Sequence, residues 1–138
     1  MRSRARRSIV LSLVVGAFAA APAAASEGNL YIPRIGLNTE VNTYSLNVGP
    51  MLYFRDADTI GIAGHRTTYA RPFYHLDRLR KGDLVRTFGR NYFVTKTLIV
   101  RPWEVWPLNH AGVILSACTP RGSANHRIVV VAQERQAR

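Results

Sequence analysis

The chain has one cysteine, Cys118. It ends a stretch that opens with the apolar residues Val113 to Leu115, and Thr119 and Pro120 follow it. Nine residues beyond it, Arg127 opens a second apolar run, Ile128 to Ala132. A thiol at the end of one strand and a guanidinium at the start of the next have a shared chemistry. A nearby cation favours thiolate over thiol, and the thiolate is the nucleophile. A lone cysteine cannot close an intramolecular disulfide. Cys118 is therefore an intermolecular link, a small buried hydrophobe, or a thiol with a chemical task. Arg127 also reads two ways. It is a structural partner for a carboxylate, or a fixed cation that donates to an oxygen turning negative during attack on a carbonyl and holds a substrate backbone.

An acid/base partner for such a thiol must come from the four histidines, His65, His75, His110 and His126. His75 lies in a segment with helical spacing and reads as a surface or packing residue. His110 sits in the loop "PLNHAG" and reads as solvated. His126 directly precedes Arg127, so on a strand it faces the opposite way. His65 ends the stretch "DTIGIAGH", behind Gly61 and Gly64, and precedes the polar, flexible-looking "RTTYAR". A histidine at a strand end can reach a site built on a rigid scaffold. Cys118, His65 and Arg127 form the candidate constellation for nucleophilic acyl transfer.

Those residues need strands to carry them. "NLYIPRI", "NTEVNTY", "DTIGIAG", "DLVRTF", "NYFVTKTLIV", "AGVILSA" and "HRIVVVA" read as β-strands, rich in β-branched and aromatic residues and separated by turn signals. Pro33 limits the first to an edge or strand-start role. Gly61 and Gly64 suggest close backbone approach or a bend. "PFYHLDRLRKGD" reads as one short helix of two or three turns, with Phe73, Leu76 and Leu79 spaced by three. "SLNVGPMLYFRDA" has no clear assignment beyond a turn at Gly49-Pro50. The pattern predicts an all-β fold, a small closed barrel with one or two short helices.

The first residues read differently. "MRSRARRS" carries four arginines, and Ile9 to Ala25 is apolar or small almost throughout, ending in an A-x-A signal at Ala23-Ala24-Ala25. This predicts export, through residues 1–26 acting as a cleaved signal or a retained membrane anchor, with residues 27–138 as one domain outside the membrane. Beyond the signal, fifteen basic residues stand against eight acidic ones, a balance of +7 that favours anionic surroundings such as lipid or cell-wall polymer. No aromatic-basic alternation points to nucleic acid. No C-x-x-C or H-x-x-x-H points to a metal, and Asp56 with Asp58 is too small a group for calcium. No cofactor is expected. G-x-x-x-x-G-K, G-x-G-x-x-G and G-x-S-x-G are all missing.

In order, "AGHRTTYARPFYHLDRLRKGD", "ILSACTP" and "HRIVVVA" resemble the bacterial sortases, with "YIPRIGLNTEV" similar to their first strands and "NVGPMLYF" to the loop before the histidine strand. The "GHRTT" form is most similar to the class E housekeeping sortases of actinobacteria. The resemblance implies an eight-stranded barrel and transpeptidation at the cell surface. Cys118 would be the nucleophile toward an LPxTG- or LAxTG-type sorting signal, His65 the acid/base, and Arg127 the oxyanion and substrate-orienting group. The acceptor would be an amine of a peptidoglycan precursor or a pilin. Ala117 and Thr119, on either side of the thiol, are the expected substrate contacts. The family's T-L-x-T-C context is "ILSAC" here, so Ile114 and Ala117 replace threonines, and the connection "RPWEVWPLNHAG" is short; these departures leave a second reading, a catalytically weak or inactive sortase-fold protein that binds cell-wall peptides.

Overall fold

The computed structural model describes residues 28–135. The predicted signal or anchor, residues 1–26, lies outside them. Eight strands form one sheet: β1 (Asn29–Ile32), β2 (Leu37–Glu40), β3 (Met51–Arg55), β4 (Thr59–Ala63), β5 (Leu84–Thr87), β6 (Arg90–Val100), β7 (Gly112–Thr119) and β8 (His126–Gln133). Their order is β2-β1-β5-β6-β8-β7-β4-β3. The two outer edges meet at Asn42 and Met51, a single parallel bridge made by Asn42 N–H to Pro50 O (2.9 Å) and Leu52 N–H to Asn42 O (2.8 Å). That bridge joins the curled sheet into the predicted barrel-like form.

The run "IVVVA" is buried throughout because both faces of β8 are covered. Ile128, Val130 and Ala132 point into the barrel with Ile62, Val85 and Leu115. Val129 and Val131 form a second cluster with Val100 and Ile114, against which Leu98 and Leu108 pack. Leu108 belongs to the segment between β6 and β7. Those strands are both antiparallel to β8, so this connection must cross the outer face of the sheet, and it does so as a strap. A strand covered on both sides loses the polar alternation of a half-exposed one.

Three expectations are corrected. The segment 72–83 holds a single 3-10 turn, Leu76–Arg78, in place of a helix of two or three turns. Phe73, Leu76 and Leu79 are all buried, and their spacing of three is the 3-10 repeat, not the 3.6 of an α-helix. Further 3-10 turns occur at Pro33–Ile35 and Trp106–Asn109. Second, β1 is an interior strand between β2 and β5, and Pro33 stands just past its end, opening the first 3-10 turn. Third, "MLYFR" is a strand, β3, whose register shifts between Leu52 and Phe54. That irregularity breaks the alternation by which strands are recognised.

One ion pair staples the start of the fold to the turn before β5. Asp83 accepts from Arg34 Nε and Nη2 at 3.1–3.2 Å and from Arg80 N–H at 2.7 Å. Burial pushes the Asp83 carboxyl up, but the Arg80 N–H bond and the Arg34 guanidinium outweigh it and hold the carboxyl below its ordinary value. A lowered folded-state pKa stabilises the fold above the unfolded carboxylate value of about 3.9, and that contribution is lost as pH falls through the folded value. Asp83→Asn is therefore expected to lower the urea midpoint at neutral pH and to leave it nearly unchanged once the parent carboxyl is protonated. Equal losses at both pH values would contradict this.

Candidate active site

β4 and β7 are parallel neighbours, with Ala63 beside Ser116. Gly64 N–H continues the pairing to Ser116 O at 3.0 Å. Two positions further on, His65 and Cys118 lie at matching ends of the two strands. Cys118 is the direct cross-strand partner of Arg127 on β8. Opposed residues of an antiparallel pair share a face, with Cβ atoms about 4.5–5.5 Å apart. The fold thus brings the three predicted residues, from β4, β7 and β8, to one end of the barrel.

Each has a definite setting. Cys118 is a free, half-buried thiol, not a core residue. Ile114, Ser116 and Cys118 alternate along the outer face of β7. Arg127 Nη1 donates to the carbonyls of Ala124 (2.9 Å) and His126 (3.1 Å). Among the described residues it has no carboxylate within salt-bridge distance, so the structural ion-pair reading of this arginine fails. Its cation stays available beside the thiol. His65 Nε2 lies 3.0 Å from Asn47 Oδ1, and its ring is 5.3 Å from that of Tyr69. Tyr69, Ala70 and Arg71 all have positive φ, a strained backbone for non-glycine residues, directly beside this ring.

Ala117 and Thr119 lie on the other face of β7. Ala117 is 3 % exposed, packed inside the barrel opposite Ile128. Its methyl does not reach a molecule lying on the Cys118 face, so any substrate contact there is through backbone. Thr119, half-buried, pairs with His126 at the barrel mouth. The other histidines stand apart. His110 Nδ1 contacts Pro107 O at 2.9 Å in the strap. His126 is exposed. Burial, Arg78 and Arg121 push His75 below the ordinary histidine value, and its Nδ1 has no hydrogen-bond partner.

Gly61 and Gly64 meet the expectation of close approach. A Cβ on Gly64 would come within 2.6 Å of the Phe73 ring, and one on Gly61 within 2.9 Å of Tyr53. Phe73 N–H also bonds His65 O at 3.1 Å, so the Phe73 ring and backbone together seat the histidine. Gly64→Ala should cost about 1–3 kcal/mol by overpacking and slow the reaction by moving His65. Thermal melting and a rate measurement on the same sample check both.

A groove of about 180 Å3 leads away from Arg127 across the outer sheet face. Ala63, Ile114 and Ser116 are among the residues of its floor, and Val105 and Leu108 of the strap wall it. Tyr53 lines it too, and burial pushes its phenol up, keeping the hydroxyl neutral. The strap also exposes Trp103, Val105 and Trp106. A larger recess, about 500 Å3, lies at the opposite end of the barrel among Asp58, Arg90 and Glu134, at the far ends of β4 and β7 from the thiol.

Two functional-looking contacts were not anticipated. Asn47 comes from a segment with no assignable pattern. Arg66 follows His65 in what reads as a flexible polar stretch, yet its side chain is 3 % exposed. It donates to Cys118 O (3.2 Å), Tyr74 O (3.2 Å) and Asp77 Oδ1 (3.4 Å).

The sortase-domain family model matches residues 30–135. The chain belongs to the sortase family. Sortases are cysteine transpeptidases, and solved sortases of several classes share this fold. Sortase C-1 from Actinomyces oris has 26% identity and a TM-score of 0.67, covering 79% of this chain and 73% of that one. Sortase E1 from Streptomyces coelicolor, solved with a tripeptide in the active site, has 23% identity and a TM-score of 0.66, covering 78% and 86%. Sortase C from Clostridium perfringens, solved with the C-terminal cell wall sorting motif, has 20% identity and a TM-score of 0.66, covering 80% and 70%. Such even scores do not separate the classes. No curated protein is similar enough in sequence to count as a match.

Proposed function

We propose that this sortase cleaves an LPxTG- or LAxTG-type sorting signal between Thr and Gly and transfers the protein to an amine. The cross-strand pairing of Cys118 with Arg127, next to His65, carries the reading. The Cys118 thiolate attacks the Thr carbonyl carbon, and the oxygen takes the electron pair. Arg127 donates to that oxyanion. The C–N bond breaks as His65 gives its proton to the departing glycine amine, leaving a thioacyl link to Cys118. An incoming amine attacks the thioester, His65 takes its proton, and the thiolate leaves.

The acceptor is an amine of a peptidoglycan precursor or a pilin. The site faces the outside of the cell, with residues 1–26 as signal or anchor and the catalytic domain following from residue 27. The N-terminal mass of the protein recovered from membrane and medium fractions tests this. "GHRTTYARPF" supports class E, and the signal is of either the LPxTG or the LAxTG form. Chromatography of both peptides with a small amine measures this choice. A product ending in Thr joined to the amine supports the function, and cleavage of neither peptide at Thr–Gly overturns it.

Asn47 helps to set the His65 ring. Asn47→Ala is expected to lower kcat about tenfold, in line with loss of one orienting contact on an acid/base group, with KM nearly unchanged. A raised KM at constant kcat would instead make Asn47 a substrate-binding residue.

A further inference from the structure

A buried arginine that bonds the nucleophile's own backbone needs a reason. Taking two charges out of water is costly unless each is paired and hydrogen-bonded. Arg66 meets that condition with three separate partners: the Cys118 carbonyl, the Tyr74 carbonyl and the Asp77 carboxylate. Arg121, from the loop between β7 and β8, meets two of the same partners from outside. Its Nη2 bonds Asp77 Oδ1 at 2.8 Å, its Nε bonds Tyr74 O at 3.1 Å, and its guanidinium lies 4.5 Å from the Tyr74 ring centroid. The clasp therefore ties three pieces together: the loop that follows His65, the end of β7 at Cys118, and the start of the next loop.

We propose that Arg66 is a positioning residue for the transpeptidase site, fixing the Cys118 backbone against His65 and placing a second cation behind the thiol. This rests on the transpeptidase reading above. Arg66 is covalently next to His65, so its bond to Cys118 O ties the residue beside the acid/base to the backbone of the nucleophile. β4 and β7 alone stop pairing at Ala63 and Ser116, with one further bond from Gly64. Beyond that bond, among the described residues, the Arg66 side chain links the two ends. A planar fork suits this task because it reaches several acceptors at once, and a lysine cannot do so.

The charged groups around the thiol are Arg127 on β8, His65 after β4, and the clasp of Arg66, Asp77 and Arg121. Arg66→Gln removes both fork and charge, whereas Arg66→Lys removes the fork and keeps the charge. Each variant of the full chain is measured for cooperative melting, for Cys118 alkylation by iodoacetamide at neutral pH, and for kcat and KM with the sorting peptide. Both variants should lose kcat by about 10–100-fold with KM within about twofold of the parent. Alkylation should slow about tenfold in Arg66→Gln and stay within about twofold of the parent in Arg66→Lys.

Parent-like kcat and alkylation in variants that melt as the parent does would overturn the proposal. So would loss of cooperative folding in both, which would make Arg66 a stability residue alone. If the parent transfers no peptide but the alkylation pattern holds, the transpeptidase reading fails while the placement of the thiol by Arg66 stands.

Discussion

Cys118→Ala will abolish peptide transfer while the barrel stays folded. The thiol is half-buried and sits on the outer face of β7, away from the inner cluster of Ile62, Val85 and Leu115. Its removal leaves no large void in the core, so melting should stay close to that of the parent. Ser116, two positions back along β7, has no histidine partner among the described residues and does not replace the thiol. Losing the nucleophile of a covalent mechanism should cost about 10^4-fold or more in kcat. Transfer retained in a preparation verified to carry alanine would remove Cys118 from the mechanism.

Arg127→Ala has the second-largest expected effect. Among the described residues the guanidinium is held only by the backbone carbonyls of Ala124 and His126, so truncation should cost no more than about 1–3 kcal/mol of stability. The loss appears in catalysis. Removing one donor to a developing oxyanion lowers kcat by about 10^2–10^3-fold. Arg127→Lys should recover a minor part, since an ammonium supplies charge without the fork. Cys118 should still alkylate in both variants, showing an accessible thiol that lacks a partner. Wild-type kcat with a raised KM would limit Arg127 to holding the substrate.

How much of this was legible before folding depends on the kind of signal. β4, β7 and β8 are apolar and β-branched, so their ends could be read, and with them Cys118, His65 and Arg127. The meeting of those ends could not, because it rests on the parallel pairing of β4 with β7, in which Thr59 lies beside Gly112, 53 positions along the chain. β3 was hidden by its register shift. The residues 72–83 read as a longer helix because a three-residue spacing is common to an α-helical face and a 3-10 turn. Arg66 was missed for a different reason. An arginine among threonines looks solvated, and its burial depends on distant partners, the carbonyls of Tyr74 and Cys118 and the carboxylate of Asp77. Asn47 sits 18 residues before His65 in a loop without pattern, and no local rule links the two. Ala117 shows a limit of a different kind: its position beside the nucleophile suggested contact with substrate, and alternation along the strand turns its methyl into the core, which leaves only its backbone for that contact.

The most direct measurement is the intact mass of the protein after incubation with an LPxTG or LAxTG peptide in the absence of an amine. The expected species is heavier by the peptide's acyl portion ending at Thr, located on Cys118, and the glycine-led fragment is released. A folded protein whose thiol alkylates readily but which forms no adduct and releases no fragment with either peptide would contradict it.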